Sequence, residues 1–284
     1  MITVLVTGAG GQLGKCLQKI AEENEEIDWL FMTSSEIDVT SRRSLEECFQ
    51  SKRIDYCVNC AAYTNVEKAE TETQKAFEVN AGAAENLAEV CLKNDTVLIH
   101  ISTDYVFNGE KNRPYLESDA TSPINVYGAS KLLGEKEILS RIPSHFIFRT
   151  SWLYSQFGHN FYKTILKKAD EGAPLNITTA QTGTPTNAND LAACIKQVIL
   201  DENDNYGIYH FSNEGEATWY DFAKEILEVS GKLDNVQLKE DNSYTTIAKR
   251  PAYSVLSKEK LKSRLGYHPK DWKEAVKELY LSQK

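Results

Sequence analysis

The chain has 284 residues, 41% of them hydrophobic and 26% charged, an ordinary globular composition that excludes a disordered or fibrous protein. Its 32 basic and 41 acidic side chains leave a net charge of -9, which excludes a nucleic-acid binder working through a broad basic surface. The longest apolar runs fall far short of the roughly 20 residues of a membrane span, and the strand-like run from Ile2 follows Met1 directly, without space for a signal peptide, so a cytoplasmic protein is expected.

The first strand, Thr3 to Thr7, runs into Gly8-Ala9-Gly10-Gly11-Gln12-Leu13-Gly14 and then a helix from Gln12 to Glu23. Glycines at 8, 11 and 14 allow a tight turn, a close approach of backbone N–H groups to a pyrophosphate, and close packing of helix on strand. A glycine loop alone is weak evidence. At the first strand of an alternating chain it reads as dinucleotide binding. The acidic run Glu22 to Glu26 reads as a solvated turn before a second strand, Trp29 to Met32.

An acid at the end of that second strand would hold a ribose 2′-hydroxyl, but Thr33, Ser34 and Ser35 stand there. NADPH is therefore preferred to NADH, with Lys15, Arg42 or Arg43 within reach of a 2′-phosphate. Asp38 and Val39, on the following loop, are assigned to the adenosine end; a solvated loop aspartate is the alternative. A helix from Ser44 to Ser51 leads to the third strand, Tyr56 to Asn59. Cys57 and Cys60 have redox or half-zinc spacing, but they sit in a strand-like run without a second pair or a nearby His, so the pair reads as structural.

A helix from Thr73 to Lys93 precedes the fourth strand, Val97 to Ser102, whose end carries Thr103, Asp104 and Tyr105. The helix from Val126 to Ser140 holds Tyr127 and Lys131 at i and i+4, on one face. Reducing a ketone needs a hydride and a proton, and a tyrosine beside an ammonium supplies the proton, the charge drawing its pKa down towards the working pH. Tyr220/Lys224 and Tyr280/Lys284 share the spacing, but only Tyr127 follows a strand end rich in hydroxyls. Thr103 there is positioned to hydrogen-bond a carbonyl, completing a donor pair with Tyr127. The fifth strand is Phe146 to Thr150. The alternation predicts a parallel sheet covered on both faces, with its ligand crevice at the carboxyl ends of the strands. Beyond residue 150, helices at Asn160 to Asp170, Asp190 to Leu200, Thr218 to Ser230, Lys258 to Leu265 and Lys273 to Leu281 suggest a smaller α/β lobe. Trp219 and Trp272 read as core.

These residues resemble the dTDP-4-dehydrorhamnose reductase family of the extended short-chain dehydrogenase/reductase superfamily over nearly the whole chain. The specific landmarks are the glycine loop, Asn59 to Glu70, Ser102 to Phe107, Asn125 to Lys131, Phe148 to Tyr154, and Lys249-Arg250-Pro251. The resemblance implies a Rossmann-like doubly wound parallel sheet over residues 1–150. Residues 151–284 would form mainly a smaller C-terminal α/β substrate-binding lobe, with some segments returning to the first domain. It implies NAD(P)H-dependent reduction of the 4-keto group of a dTDP-6-deoxy-4-hexulose to dTDP-L-rhamnose. Tyr127 would give the proton, Lys131 would hold the nicotinamide ribose, and Thr103 would orient the ketone. Asp104, Tyr105 and Trp152 would line the sugar, and Ala61, Ala62 and Thr64 the coenzyme. Arg250 offers a diphosphate a planar fork of donors; Asn160 and Lys163 are further candidates.

In some relatives magnesium joins two subunits through a glutamate two positions beyond the last loop glycine. Here that position is Cys16, a poor ligand for a hard cation. A monomer or a homodimer without a metal bridge is expected, and no metal at the catalytic site. Two rivals remain: a nucleotide-sugar epimerase or dehydratase with tightly held NAD, and a non-catalytic subunit like the regulatory subunit of methionine adenosyltransferase.

Overall fold

The computed structural model describes residues 1–22, 26–243 and 245–284. Six parallel strands form the main sheet: β1 (Ile2–Thr7), β2 (Ile27–Met32), β3 (Tyr56–Asn59), β4 (Val97–Thr103), β5 (His145–Thr150) and β6 (Gly207–Phe211). Their spatial order is β6-β5-β4-β3-β1-β2. The first five match the expected strands to within two residues, and the sixth comes from beyond residue 150. Glu23 to Glu25, in the acidic run read as a turn, lie outside the described residues.

The sheet is apolar on both faces because helices cover both. Val4, Val6 and Val58 pack against α1 (Gln12–Ala21) and α6 (Ala188–Leu200). Leu5, Cys57 and Leu98 pack on the other side against α2 (Arg42–Ser51), α3 (Ala83–Lys93) and α4 (Val126–Arg141). The strand order reverses between β1 and β3, and a crevice opens there at the carboxyl ends of a doubly wound sheet. Gly8 lies in this gap with φ +65, and a Cβ on it would come 2.5 Å from the Ala61 nitrogen.

The expected helix from Thr73 to Lys93 is interrupted. Thr73–Phe77 is α-helical, Glu78–Gly82 forms a π turn, and α3 follows. The cause is Asn80. Its amide receives Tyr63 N–H at 2.9 Å, donates to Tyr63 O at 3.1 Å and to Ser130 Oγ at 2.9 Å. Gly134 on α4 lets that backbone approach, since a Cβ there would meet the Asn80 carbonyl at 2.3 Å. A break at the middle of a helix thus ties the loop of residues 61–64 to the helix that carries Tyr127 and Lys131.

The second core gathers α5 (Phe161–Asp170), α7 (Trp219–Ser230) and α9 (Trp272–Leu281) around Tyr154, Phe222, Trp272 and Leu279. Trp272 is core, as expected. A short helix, α8 (Glu259–Leu265), packs beside β6. Six cysteines are free, and Cys57 is fully buried in β3, so the Cys57/Cys60 spacing is structural. Among the described residues no helix is long and apolar enough to cross a membrane.

Candidate active site

A cavity of about 500 Å³ lies where the carboxyl ends of β1, β3, β4 and β5 meet the second core. It is lined by Gly11, Gln12, Leu13 and Gly14 of the glycine loop, by Thr103, Asp104, Tyr105, Tyr127 and Lys131, and by Trp152 and Arg250. Ala61, Ala62 and Thr64 line the same wall. The expected site residues therefore converge, except for the further candidate Lys163, which does not line the cavity, and four others. Gly8 and Gly10 shape the turn without lining the cavity. Asp38 turns back on its own loop, accepting from Thr40 N–H at 2.9 Å and its hydroxyl at 2.7 Å. Val39 is buried under α2 with Leu45 and Phe49, where its apolar side chain belongs.

The glycine end fits a dinucleotide phosphate. Helix α1 begins at Gly11 with no side-chain cap and no acidic residue in its first turn, so its positive end faces the cavity. Gly14 permits this packing, since a Cβ there would strike the Ala9 carbonyl oxygen at 2.7 Å. Gln12 joins the two cores: its Oε1 accepts from Asn160 Nδ2 at 2.8 Å and from Ser155 Oγ at 3.2 Å. Asn160 also caps α5 through Lys163 N–H, so it serves the structure as well as the cavity.

The Thr33–Ser35 stretch has no acid, but Glu36 folds back to the end of β2. Its Oε2 accepts Thr33 N–H at 2.8 Å and the Thr33 hydroxyl at 2.7 Å. Counting residues from the strand end missed this carboxylate because the chain turns immediately after Met32. Arg42 and Arg43 are drawn to carboxylates along the outer faces, Arg42 to Glu46 and Glu89 and Arg43 to Glu47, while Lys15 is exposed.

Helix α4 is aimed by its first turn. Asn125 caps Gly128 N–H at 2.7 Å and donates to the Lys249 carbonyl at 2.8 Å, which ties the helix to the segment bearing Arg250. Gly128 is required by proximity: a Cβ would lie 2.2 Å from the Tyr105 carbonyl oxygen. The Tyr105 and Tyr127 rings then meet edge to face, with centroids 6.0 Å apart. Burial pushes the Tyr127 hydroxyl up to about 12, with the Thr103 hydroxyl pulling it back and the Asp104 carboxylate adding to the rise. This tyrosine is therefore a firm holder of its proton. The expected downward pull of Lys131 does not dominate, because the lysine turns elsewhere.

Lys131 is buried, and burial lowers its ammonium to about 8, against the Glu135 carboxylate and the Cys60 thiol. Its Nζ lies 3.1 Å from His100 Nε2 on β4. Below it, Glu135 takes two bonds from Arg149, at 2.9 and 2.7 Å, and one from Ser102 at 2.5 Å. Removing one partner of such a buried pair costs about 3–5 kcal/mol, so this pair fixes α4 against β4 and β5. His100 was missed in the sequence. Strand alternation puts it on the same face as Ser102 and Leu98, towards α4, which was the available signal.

Thr103 Oγ1 donates to Asp104 Oδ1 at 3.1 Å and accepts Tyr105 N–H at 3.2 Å. Burial raises the Asp104 carboxyl to about 6, with the Ser254 and Thr103 hydroxyls opposing. Trp152 adopts φ +46, and its ring stacks on Trp219 at 3.7 Å. Trp219 lines the cavity and is not simply core. Arg250 Nη2 donates to Glu67 Oε1 at 3.0 Å. Against the upward push of burial, Arg250 and the N–H groups of Ile247 and Ala248 hold Glu67 low. Glu67 is thus an unforeseen positioning group for Arg250. Tyr220/Lys224 and Tyr280/Lys284 lie outside the cavity. Cys16 is fully buried, and burial raises its thiol to about 12. Among the described residues no group of three or more His, Cys, Asp or Glu could hold a metal ion.

Known proteins resemble this chain over nearly its full length. A dTDP-4-dehydrorhamnose reductase of Aggregatibacter actinomycetemcomitans is 39% identical, the match covering 98% of each chain. The spore coat polysaccharide biosynthesis protein SpsK of Bacillus subtilis is 38% identical over 100% of this chain and 98% of its own. The crystal structure of dTDP-4-dehydrorhamnose reductase from Bacillus anthracis in complex with NADP superimposes with a TM-score of 0.94 at 36% identity, covering 99% of this chain and 100% of that one. The fold is that of the Rossmann-like reductases. With residues 2–283 matching its family description, the chain belongs to the RmlD substrate binding domain family.

Proposed function

We propose that this chain reduces the 4-keto group of dTDP-6-deoxy-L-lyxo-4-hexulose to give dTDP-L-rhamnose, acting in the cytoplasm with a nicotinamide dinucleotide. One observation carries the reading: a single cavity is lined by an uncapped helix terminus, the Tyr127–Lys131 pair, Arg250 and Trp152. The near full-length relatives named for this activity support it.

The dinucleotide, when bound, supplies the hydride. The Gly11–Gly14 backbone would hold its pyrophosphate, and Ala61, Ala62 and Thr64 would lie along it. Tyr127 holds the proton destined for the substrate oxygen, which its high pKa in the free protein suits it to do. Thr103 orients the ketone; its hydrogen, given to Asp104 in the free protein, turns to the substrate. Arg250 meets the diphosphate as a planar fork, already aligned by Glu67. Trp152, stacked on Trp219, offers the sugar a flat wall, and Tyr105, edge to face with Tyr127, lines the same cavity.

NADPH is the coenzyme we prefer, because the Glu36 carboxylate is already engaged by two Thr33 donors. A lower KM for NADPH than for NADH is expected; a tenfold preference for NADH overturns that choice. The activity is tested by incubating protein, NADPH and the 4-keto sugar nucleotide and identifying the product. dTDP-L-rhamnose in equal amount to coenzyme oxidised is expected. Copurification with stoichiometric, non-exchanging NAD would instead favour an epimerase or dehydratase, and no oxidation at all a non-catalytic subunit.

A further inference from the structure

A row of polar side chains runs behind Lys131, and the backbone fixes its polarity. Asn59 Oδ1 receives Ala61 N–H at 3.1 Å and the Thr7 hydroxyl at 2.8 Å. A backbone N–H can only donate, so the amide oxygen of Asn59 faces Ala61 and its NH2 group faces His100 Nδ1, at 3.0 Å. An amide NH2 also only donates. Nδ1 must therefore be the bare nitrogen of a neutral ring, and the ring's hydrogen sits on Nε2, 3.1 Å from Lys131 Nζ. An imidazolium would set Nδ1–H against the Asn59 NH2 and a second cation beside the lysine. Burial and the Lys131 charge both hold the ring well below its ordinary range.

An N–H aimed at a lysine nitrogen is satisfied by the lone pair of an amine and opposed by the hydrogens of an ammonium. We propose that His100 is a positioning residue for the reduction, whose Nε2–H, aimed by Asn59, binds the Lys131 nitrogen and favours the amine form of that lysine in the coenzyme-free protein. The other groups around Lys131 do not replace this contact. Cys60, at the end of β3, is held protonated by burial. Glu135, on the same helix, favours the ammonium, but its oxygens are spent on Arg149 from β5 and Ser102 from β4 and make no bond to the lysine. Tyr127, one turn back, keeps its proton.

The consequence is kinetic. Reduction consumes one proton per turnover, and the Tyr127–Lys131 pair must hold it, so activity falls as pH rises through the titration of that pair. A donor pressed on the lysine nitrogen moves this fall to lower pH. The kinetic arm rests on the reductase reading above; the structural arm does not.

Two variants separate donor from bulk. His100→Asn keeps an acceptor near Nδ1 for Asn59 but cannot reach Lys131, whereas His100→Gln returns an N–H towards the position of Nε2. In kcat/KM for coenzyme, His100→Asn is expected to move the alkaline limb up by about one pH unit, the size set by a single hydrogen bond, and His100→Gln to restore it. Equal shifts in both variants, or no shift in either, overturn the proposal. Independently of folding or substrate, ¹⁵N-histidine NMR of the coenzyme-free wild-type protein at pH 7 reads the tautomer. Nε2–H with a bare Nδ1 is expected, and Nδ1–H or a doubly protonated ring overturns the proposal even if the protein reduces a different sugar.

Discussion

Asp104→Asn tests what the site costs the fold. Asp104 is 2% exposed, and burial raises its carboxyl from 3.8 to about 6, against hydrogen bonds from Ser254 and Thr103. At 1.36 kcal/mol per unit, that rise corresponds to about 3 kcal/mol opposing the folded state once the group ionises. The folded pKa lies above the unfolded one, so the contribution favours folding while the group is protonated and is lost as pH rises from about 4 through 6. The substitution keeps an oxygen for the Thr103 hydroxyl and removes the charge. Urea midpoints across the range should therefore show the variant more stable than wild type by about 1 kcal/mol near pH 4.5 and about 3 kcal/mol above pH 6.5. A stability difference that does not change with pH would refute the reasoning, and a variant less stable at pH 7.5 would reverse it.

Three further outcomes follow from individual contacts. Gly128→Ala places a methyl 2.2 Å from a backbone oxygen that cannot withdraw, so a loss of about 3 kcal/mol or more is expected, read as a lower thermal midpoint. Arg250→Ala removes a charge-assisted donor fork; the KM for sugar nucleotide should rise roughly 10- to 100-fold while the KM for coenzyme stays put, because on the proposed reading the coenzyme pyrophosphate would bind at α1 instead. Equal rises in both would contradict that division. Trp219→Ala frees the Trp152 ring from a stack at 3.7 Å, and a several-fold rise in the KM for sugar nucleotide is expected from a contact of about 0.5–1.5 kcal/mol.

The elements that carry the chemistry were legible because their signals are local. Gly8 to Gly14 follow a strand directly, and Asn125, Tyr127 and Lys131 share the first turns of one helix. What escaped depends on distant partners. The π turn at Asn80 arises from bonds to Tyr63 and Ser130, and from the space that Gly134 leaves. Trp219 reads as one more apolar position of an amphipathic helix until Trp152, in its left-handed backbone, brings a ring against it. Glu36 was overlooked because a turn returns it to the strand end, and His100 because its meaning depends on pairing with Asn59 across β3 and β4, a register that no single segment reveals.

The proton-donor role of Tyr127 is measured by following the nicotinamide absorbance after mixing protein, NADPH and the 4-keto sugar nucleotide, for wild type beside Tyr127→Phe. Wild type should oxidise coenzyme in proportion to substrate, and the variant, which keeps the ring and its contact with Tyr105, should bind coenzyme yet turn over at least about 100-fold more slowly. Full activity in Tyr127→Phe, or no oxidation by wild type, would contradict the account.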